Sequence, residues 1–183
     1  MTHRSRLVAI VVLASAVAVL QNAFAQEKPP SLPLPEMQRL SKLYVGTWTY
    51  SETYAKSAMV PNGGVNTGVY TSELGPGGNS IFNHFHSQGP VGDFEGAFIM
   101  TWDPIEKAYK AFAFGDNFPG VIVETAQFEG DALVYRGELA MGATKVGLRN
   151  VTRFAGDKIT SEEYSSTNGG PEKLIVTVDA VRK

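Results

Sequence analysis

The chain has 183 residues, a formal net charge of −2 and no cysteine. The small charge, with no run of lysine and arginine, argues against nucleic acid as a partner. The missing cysteines exclude disulfides and lipid attachment through a cysteine, and the length allows one domain with a substantial core.

The first segment has the features of a secretory signal peptide. Arg4 and Arg6 precede an apolar run over 7–20, and Ala23-Phe24-Ala25 supplies the small-x-small pattern for cleavage. The run is shorter than the roughly 20 residues that a membrane-spanning helix needs. We therefore expect cleavage after Ala25 and a mature protein that is periplasmic or secreted, without a membrane partner. The predicted organisation is a signal peptide over 1–25, a proline-rich leader over 26–35 and one domain over 36–183.

A short helix and a series of strands follow the leader. Met37, Leu40 and Leu43 recur at helical spacing, which predicts one or two helical turns over 36–43. From Tyr44 onward, clusters of glycine, proline, asparagine and aspartate separate stretches rich in β-branched and aromatic residues, a pattern typical of short strands. The ten predicted strands cover 44–55, 65–74, 79–88, 92–103, 108–116, 120–128, 132–140, 144–155, 158–167 and 172–182.

The connections between these strands are too short for a crossover helix, so consecutive strands should be antiparallel neighbours. Closing such a meander removes its exposed edges. The sequence therefore predicts an all-β fold, a closed antiparallel meander barrel of about ten strands with a short N-terminal helix. A β-sandwich is the alternative architecture.

The alternation of side chains predicts which faces are apolar. In the fifth strand, Phe112 and Phe114 oppose Ala111 and Ala113, so both faces are apolar. One face can line a cavity while the other packs against the helix or a second copy, which leaves a homodimer open. In the last strand, period two sets Leu174, Val176 and Val178 on one face.

Gly46-Thr47-Trp48 stands on the first predicted strand, directly after the predicted helix. This Gly-x-Trp resembles the calycin superfamily of lipocalins and fatty-acid-binding proteins, in which the tryptophan closes one end of the barrel against an arginine of the last strand. The resemblance implies that Gly46, Trp48 and Arg182 form the barrel closure.

More of the chain, roughly 37–183, resembles one bacterial branch, the secreted proteins of the domain of unknown function 1579 family. The resemblance implies a calycin-like barrel of about ten strands and no particular activity. Where family members often place Gln or Glu on the third strand, this chain has Asn83, His84, Phe85 and His86. The shared features are the opening over 40–48, Gly77-Gly78, Phe94-Glu95-Gly96, Trp102-Asp103 with Lys107 and Tyr109, and the ending over 177–183.

A ten-stranded barrel is wide enough to hold a small ligand, and phenol groups are suited to fix its polar end. We therefore predict that the protein binds a small hydrophobic molecule, as a carrier or a sensor. Arg149 is included in the lining because an arginine inside the barrel would bind a ligand carboxylate. The candidate lining residues are Tyr50, Tyr54, Phe82, His84, Phe98, Phe114 and Arg149.

The two histidines at 84 and 86 suggest a second kind of site. At i and i+2 on a strand they share a face, and they supply two of the three or four ligands that zinc or copper requires. Asp93 and Glu95, one hairpin away, are the candidates for a third. His84 is also the candidate ligand for haem in a barrel similar to the nitrobindins, although their histidine lies near the chain end, where this sequence has none. No cofactor is predicted.

Two alternatives to a binding module stay open. An isomerase, hydrolase or cyclase would use His84, a tyrosine and a carboxylate in the same cavity, and an inward His84 bonded to an acid would favour it. The sequence has no Gly-x-Ser-x-Gly elbow, phosphate loop or dinucleotide-binding motif. An interaction protein would dimerise through a strand that is apolar on both faces.

Overall fold

The structure, a computed structural model, describes residues 33–57 and 60–183. The predicted signal peptide and residues 26–32 of the predicted leader lie outside the described residues. One helix, α1 (Pro35–Tyr44), precedes ten strands, and each strand lies close to its predicted range. The strands are β1 (Gly46–Tyr54), β2 (Gly64–Leu74), β3 (Ser80–Gln88), β4 (Phe94–Asp103), β5 (Ala108–Gly115), β6 (Phe118–Glu129), β7 (Ala132–Met141), β8 (Thr144–Ala155), β9 (Lys158–Thr167) and β10 (Lys173–Arg182).

Every strand pairs antiparallel with the next strand in the chain, and β10 pairs with β1 to close the barrel. In the closing pair, Trp48 lies opposite Arg182 and Tyr54 lies opposite Val176. The predicted all-β, closed antiparallel meander with a short N-terminal helix is thus confirmed, and the sandwich alternative is wrong. Closure matters for the site because inward side chains from all ten strands then face one interior.

Helix α1 begins at Pro35, where the missing N–H of proline leaves no hydrogen bond unmade. Glu36 in the first turn and Lys42 in the last turn both match the polarity of the helix. The helix buries Met37, Leu40 and Tyr44 against the barrel residues. Among the described residues, no helix combines the length and apolar composition needed to cross a bilayer.

One end of the barrel is filled by a compact apolar core. Met37 and Leu40 of α1 pack in one cluster with Trp48, Met100 and Leu133, all of them fully buried. Burying these large side chains together removes apolar surface from water and gives the fold most of its stabilisation. The core therefore stabilises this end and leaves the cavity to the rest of the interior.

The residues predicted to close the barrel lie together at this end. The guanidinium carbon of Arg182 lies 4.2 Å from the centre of the Trp48 ring, and Arg182 donates hydrogen bonds to the carbonyls of Val45 and Leu43. Gly46 has a φ of 137°, and a Cβ there would come within 2.7 Å of Arg182 Nη1. A glycine at position 46 therefore lets the arginine reach the backbone at the end of the helix.

The last strand contains an irregularity that changes the facing of one predicted residue. The pairing of β10 with β9 shifts between Leu174 and Val176, so one residue is left over there. Beyond this β-bulge, Val176 is buried and Val178 faces the interior, whereas Leu174 is 42% exposed. The prediction that all three share a face is wrong, because a bulge interrupts the two-residue period.

Candidate functional site

A cavity of about 260 Å³ lies inside the barrel. Its wall combines aromatic rings, small side chains and polar groups from α1 and all ten strands. β5 shows how the space arises: Ala111 and Ala113 point inward and line the cavity, while Phe112 and Phe114 point outward. Because the small side chains of this two-sided apolar strand face in, the described residues leave part of the interior unfilled.

Four tyrosines contribute hydroxyl groups to this cavity: Tyr44, Tyr50, Tyr70 and Tyr135. The hydroxyls of Tyr44 and Tyr135 lie 2.7 Å apart, and Tyr135 also contacts Met100 Sδ at 3.2 Å. Burial raises the pKa of Tyr44 to about 12 and moves the pKa of the other three further from neutrality. At neutral pH these groups are therefore uncharged and act as hydrogen-bond donors and acceptors.

Tyr50 differs from Tyr44 and Tyr135 because its buried hydroxyl is unpaired among the described residues. The side chain is only 7% exposed, and Oη has no hydrogen-bond partner among the described residues. The neighbouring hydroxyl, that of Ser87, donates to Glu52 at 3.0 Å instead. Gly68 lies opposite Tyr50 on β2, and a Cβ there would come within 2.6 Å of the Tyr50 ring. Because residue 68 is a glycine, there is room beside it for the Tyr50 ring. The ring lines the cavity, and its hydroxyl is an unsatisfied polar group.

Three glutamates also line the cavity, one each from β1, β6 and β9. Glu52 Oε2 accepts hydrogen bonds from Tyr54 Oη at 2.9 Å and from Ser87, whereas its Oε1 has no partner among the described residues. Burial raises the pKa of Glu52 in spite of these two bonds. The free-energy cost of removing the carboxylate from water therefore exceeds the stabilisation from the two hydrogen bonds.

The carboxylates of Glu124 and Glu163 accept fewer hydrogen bonds from the described residues than that of Glu52 does. Burial alone raises the pKa of Glu124 to about 7, and its carboxylate accepts no hydrogen bond from a described residue. Burial also raises the pKa of Glu163 to about 7, with smaller contributions from the charges of Glu52 and Glu124. One hydrogen bond, from Asn150 Nδ2 at 3.2 Å, reaches Glu163 Oε1. Both groups therefore change protonation near neutral pH.

No lysine, arginine or histidine lines the cavity within the described part of the chain. The arginine predicted to meet a ligand carboxylate, Arg149, lies on the outer face instead. It binds both oxygens of Glu172, at 2.6 to 3.0 Å, and stacks over Tyr164 with its guanidinium carbon 4.1 Å from the ring centre. Among the described residues, the cavity wall therefore contains acids and no basic side chain to balance them.

The predicted lining residues divide between the two faces of the barrel. Tyr50 and Phe98 line the cavity, and Tyr54 is half-buried beside it. Phe82, His84 and Phe114 point outward, as Arg149 does, so their placement in the lining is corrected. Phe114 is 43% exposed, and His84 lies between the inward residues Asn83 and Phe85. The physical reason is parity, because neighbouring positions on a strand face opposite sides.

The outward facing of the histidines affects the predictions that rest on them. His84 is exposed. On the surface, His86 Nε2 lies 3.6 Å from Asp93 Oδ1. Within residues 33–57 and 60–183, no three histidine, cysteine, aspartate or glutamate side chains are grouped to hold a metal ion. An enzyme or a haem site that uses an inward His84 therefore has no support in this geometry.

An apolar row crosses the outer surface of four strands. Phe82, Ile99, Phe112 and Val123 pair in register across β3, β4, β5 and β6. Val123 is 46% exposed. Dimerisation stays a prediction from the sequence, and a concentration-dependent mass in solution tests it.

The carboxylates of the cavity are candidate functional residues that the sequence did not single out. One signal was available in β6, where Glu124 shares a face with Ile122 and Ala126. A glutamate within an apolar face indicates a buried acid. In the structure Gly137 lies opposite Glu124 on β7, and a Cβ there would come within 2.9 Å of Glu124 Cγ, so the glycine leaves room for the buried acid.

Comparisons with known proteins bear on the fold. No protein-family model and no curated protein matches the chain. Membership of the domain of unknown function 1579 family therefore stays a prediction. Among solved structures, the crystal structure of Rv2717c from M. tuberculosis is similar, with a TM-score of 0.60 and 15% sequence identity over 82% of this chain and 98% of that chain. A likeness at this identity supports the barrel fold alone.

Proposed function

We propose that the protein is an exported carrier or sensor that binds one small molecule inside the barrel. The observation that carries the proposal is a cavity whose polar wall atoms lack partners among the described residues. These atoms include Tyr50 Oη, Glu52 Oε1 and the carboxylate of Glu124. Buried polar groups without partners are costly, and a ligand is one means of satisfying them.

The size of the cavity bounds the ligand. A dry cavity of roughly 150 Å³ holds benzene, and the cavity here measures about 260 Å³. We therefore propose a ligand with an apolar body of about one or two rings and a polar group. The resemblance to calycins supports a carrier, and the pattern over residues 1–25 supports export.

Native mass spectrometry of the purified protein tests the proposal, with the bound mass identified after denaturation. We expect near one ligand per chain in the wild type and its loss from Ala113→Phe, which fills the cavity. Ala97→Phe is the matched control, because Ala97 lies on the outer face of β4, opposite Phe114 of β5. Retention of the ligand by Ala113→Phe would place the binding site elsewhere.

Acid–base catalysis is a second candidate function, favoured by the pKa values of about 7 for Glu124 and Glu163. Groups that titrate near the working pH suit proton transfer. The recovered ligand would be incubated with fresh protein at pH 7 and its mass measured again. Conversion that stops in Glu163→Gln would assign catalysis, whereas an unchanged ligand would leave the carrier function.

A further inference from the structure

We propose that the ligand of this cavity is an organic cation, a protonated amine on an apolar body of one or two rings, whose ammonium group binds among Glu52, Glu124 and Glu163. The inference rests on the proposed binding function and adds the chemical class of the ligand. Three sets of observations carry it: the charge balance of the wall, the free acceptor atoms and one unpaired buried hydroxyl.

The charge balance of the wall is one-sided. Three carboxyl groups face the cavity, and no basic side chain of the described residues does. Buried charges in proteins are paired or coordinate a metal, because an isolated ion in an apolar interior is strongly disfavoured. An arriving cation would supply the missing partner. An anionic ligand such as a fatty acid would add a further negative charge, so the wall selects against it.

The acceptor atoms left free match the donors of an ammonium group. Glu52 uses Oε2 for Tyr54 and Ser87 and leaves Oε1 open. Glu124 accepts nothing from the described residues, and Glu163 accepts one bond, from Asn150 at Oε1. A primary ammonium has three N–H donors and no acceptor. Carboxylate oxygens are its strongest partners, since both members of each bond are charged.

Tyr50 provides an observation that is independent of the acids. Its side chain lines the cavity, and its buried hydroxyl has no hydrogen-bond partner within 3.5 Å and in suitable geometry among the described residues. Burial raises the pKa of this hydroxyl, and the nearby Ser87 hydroxyl lowers the pKa by a smaller amount. The oxygen can accept a bond from an ammonium, or the hydroxyl can donate to a carboxylate once a ligand has reorganised the site. Tyr50 and Tyr70 both line the cavity, and an aromatic ring attracts a cation within about 6 Å of its centre.

The arrangement fits an organic cation better than a metal ion. The three glutamates come from separate strands around the barrel and, among the described residues, do not form a metal-binding group. Apolar side chains, among them Phe85, Phe98 and Val178, share the wall with the carboxylates. A molecule with a charged end and an apolar body satisfies both kinds of surface at once.

Three probes of nearly equal size test the preference for a cation separately from the proposed binding of a small molecule. Phenethylamine is a cation at pH 7.5, 2-phenylethanol is neutral and 3-phenylpropanoate is an anion. We expect calorimetry or ligand-detected NMR to give phenethylamine a dissociation constant about tenfold lower than that of the alcohol, because hydrogen bonds between charged groups are stronger. The propanoate should bind more weakly than the alcohol.

Two variants locate the charge that selects the cation. Glu163→Gln and Glu124→Gln should each weaken phenethylamine about tenfold and leave 2-phenylethanol within about twofold, since the amide keeps the size of the side chain. Glu162→Gln is the matched control. Glu162 precedes Glu163 in the sequence and faces outward. Its Oε2 lies 3.4 Å from Arg153 Nη1. The control should bind all three probes as the wild type does.

Proton release gives a readout that a purely structural role of the glutamates would not produce. Burial raises the pKa of Glu124 and Glu163 to about 7, and a bound cation lowers these values. Calorimetry at pH 7 in phosphate and in MOPS, neither of which is a primary amine, should therefore detect protons released by phenethylamine and none released by the alcohol.

The outcomes are distinguishable. Tighter binding of phenethylamine, lost in either glutamine variant and kept in Glu162→Gln, supports the cation site. Equal or tighter binding of the alcohol or the propanoate would overturn the inference and leave the binding function standing. Failure of all three probes to bind would overturn the proposed binding of ring-sized ligands, and the inference with it.

Discussion

Replacing Glu163 by glutamine removes one ionisable group from the cavity and keeps the shape of the side chain. Glutamine can still accept the hydrogen bond that Asn150 donates to Glu163 at 3.2 Å. The substitution therefore isolates the effect of the charge. Burial, and then the charges of Glu52 and Glu124, raises the pKa of Glu163 from 4.5 to about 7.

The direction of this pKa change fixes how stability depends on pH. Below pH 4.5 the acid is protonated in the folded and the unfolded chain. Between pH 4.5 and 7 the unfolded chain releases the proton while the folded chain keeps it, so the free energy of unfolding falls as the pH rises. Each pH unit in this window contributes about 1.4 kcal/mol, so the full loss above pH 7 is about 3 kcal/mol.

Urea denaturation at pH 4 and pH 8 measures this effect. At pH 8 we expect Glu163→Gln to unfold with a free energy about 3 kcal/mol higher than that of the wild type, and at pH 4 the two should agree within about 1 kcal/mol. Glu162→Gln, on the outer face, should change stability by under about 1 kcal/mol at both pH values. If the wild type and Glu163→Gln lost stability equally between pH 4 and 8, the carboxyl would ionise freely in the folded protein and the reasoning would fail.

Three further substitutions test other parts of the structure by the same denaturation assay. Tyr50→Phe removes an unpaired buried hydroxyl, so we expect a gain of about 1 kcal/mol in stability together with weaker phenethylamine binding; a loss of stability would show that the hydroxyl is satisfied. Arg182→Ala removes two hydrogen bonds to backbone carbonyls and the contact with Trp48, which should cost about 2 kcal/mol, and an unchanged midpoint would contradict this closure. Arg149→Ala breaks the outer pair with Glu172 and the contact with Tyr164, both on the surface, and should cost about 1 kcal/mol; any change in probe affinity would contradict its outward placement.

The architecture could be predicted because its signals are local and repeated. Turn residues mark where each strand ends, and the short connections leave only antiparallel neighbours. Closure followed from the cost of leaving strand edges unpaired. These signals need no knowledge of which strand face is inside.

The facing of individual residues was harder to predict, for a reason visible in β5. Both faces of this strand are apolar, so alternation alone cannot say whether Ala113 or Phe114 points inward. The structure turns the alanines inward, which creates the cavity and excludes Phe114 from it. At Leu174, a bulge changes the period, and a strict two-residue pattern does not anticipate it.

Only some of the cavity carboxylates could have been identified from the sequence. Glu124 interrupts an apolar face and could have been identified. Glu163 follows Glu162 in a strand that is polar on both sides, so the sequence does not say which of the two is buried. That Glu52, Glu124 and Glu163 share one cavity depends on the register of the strand pairs around the closed barrel, which no local pattern specifies.

The seam between β1 and β10 has a consequence for folding. Arg182 donates to the carbonyl of Val45, 137 positions earlier in the chain. Until β10 docks, β1 lacks one of its two neighbours, and the partly folded chain is an open sheet with two bare edges. Contacts between such distant positions form slowly, and open sheets are prone to aggregate. Docking of β10 against β1, rather than any local segment, therefore sets the moment at which the cavity first exists.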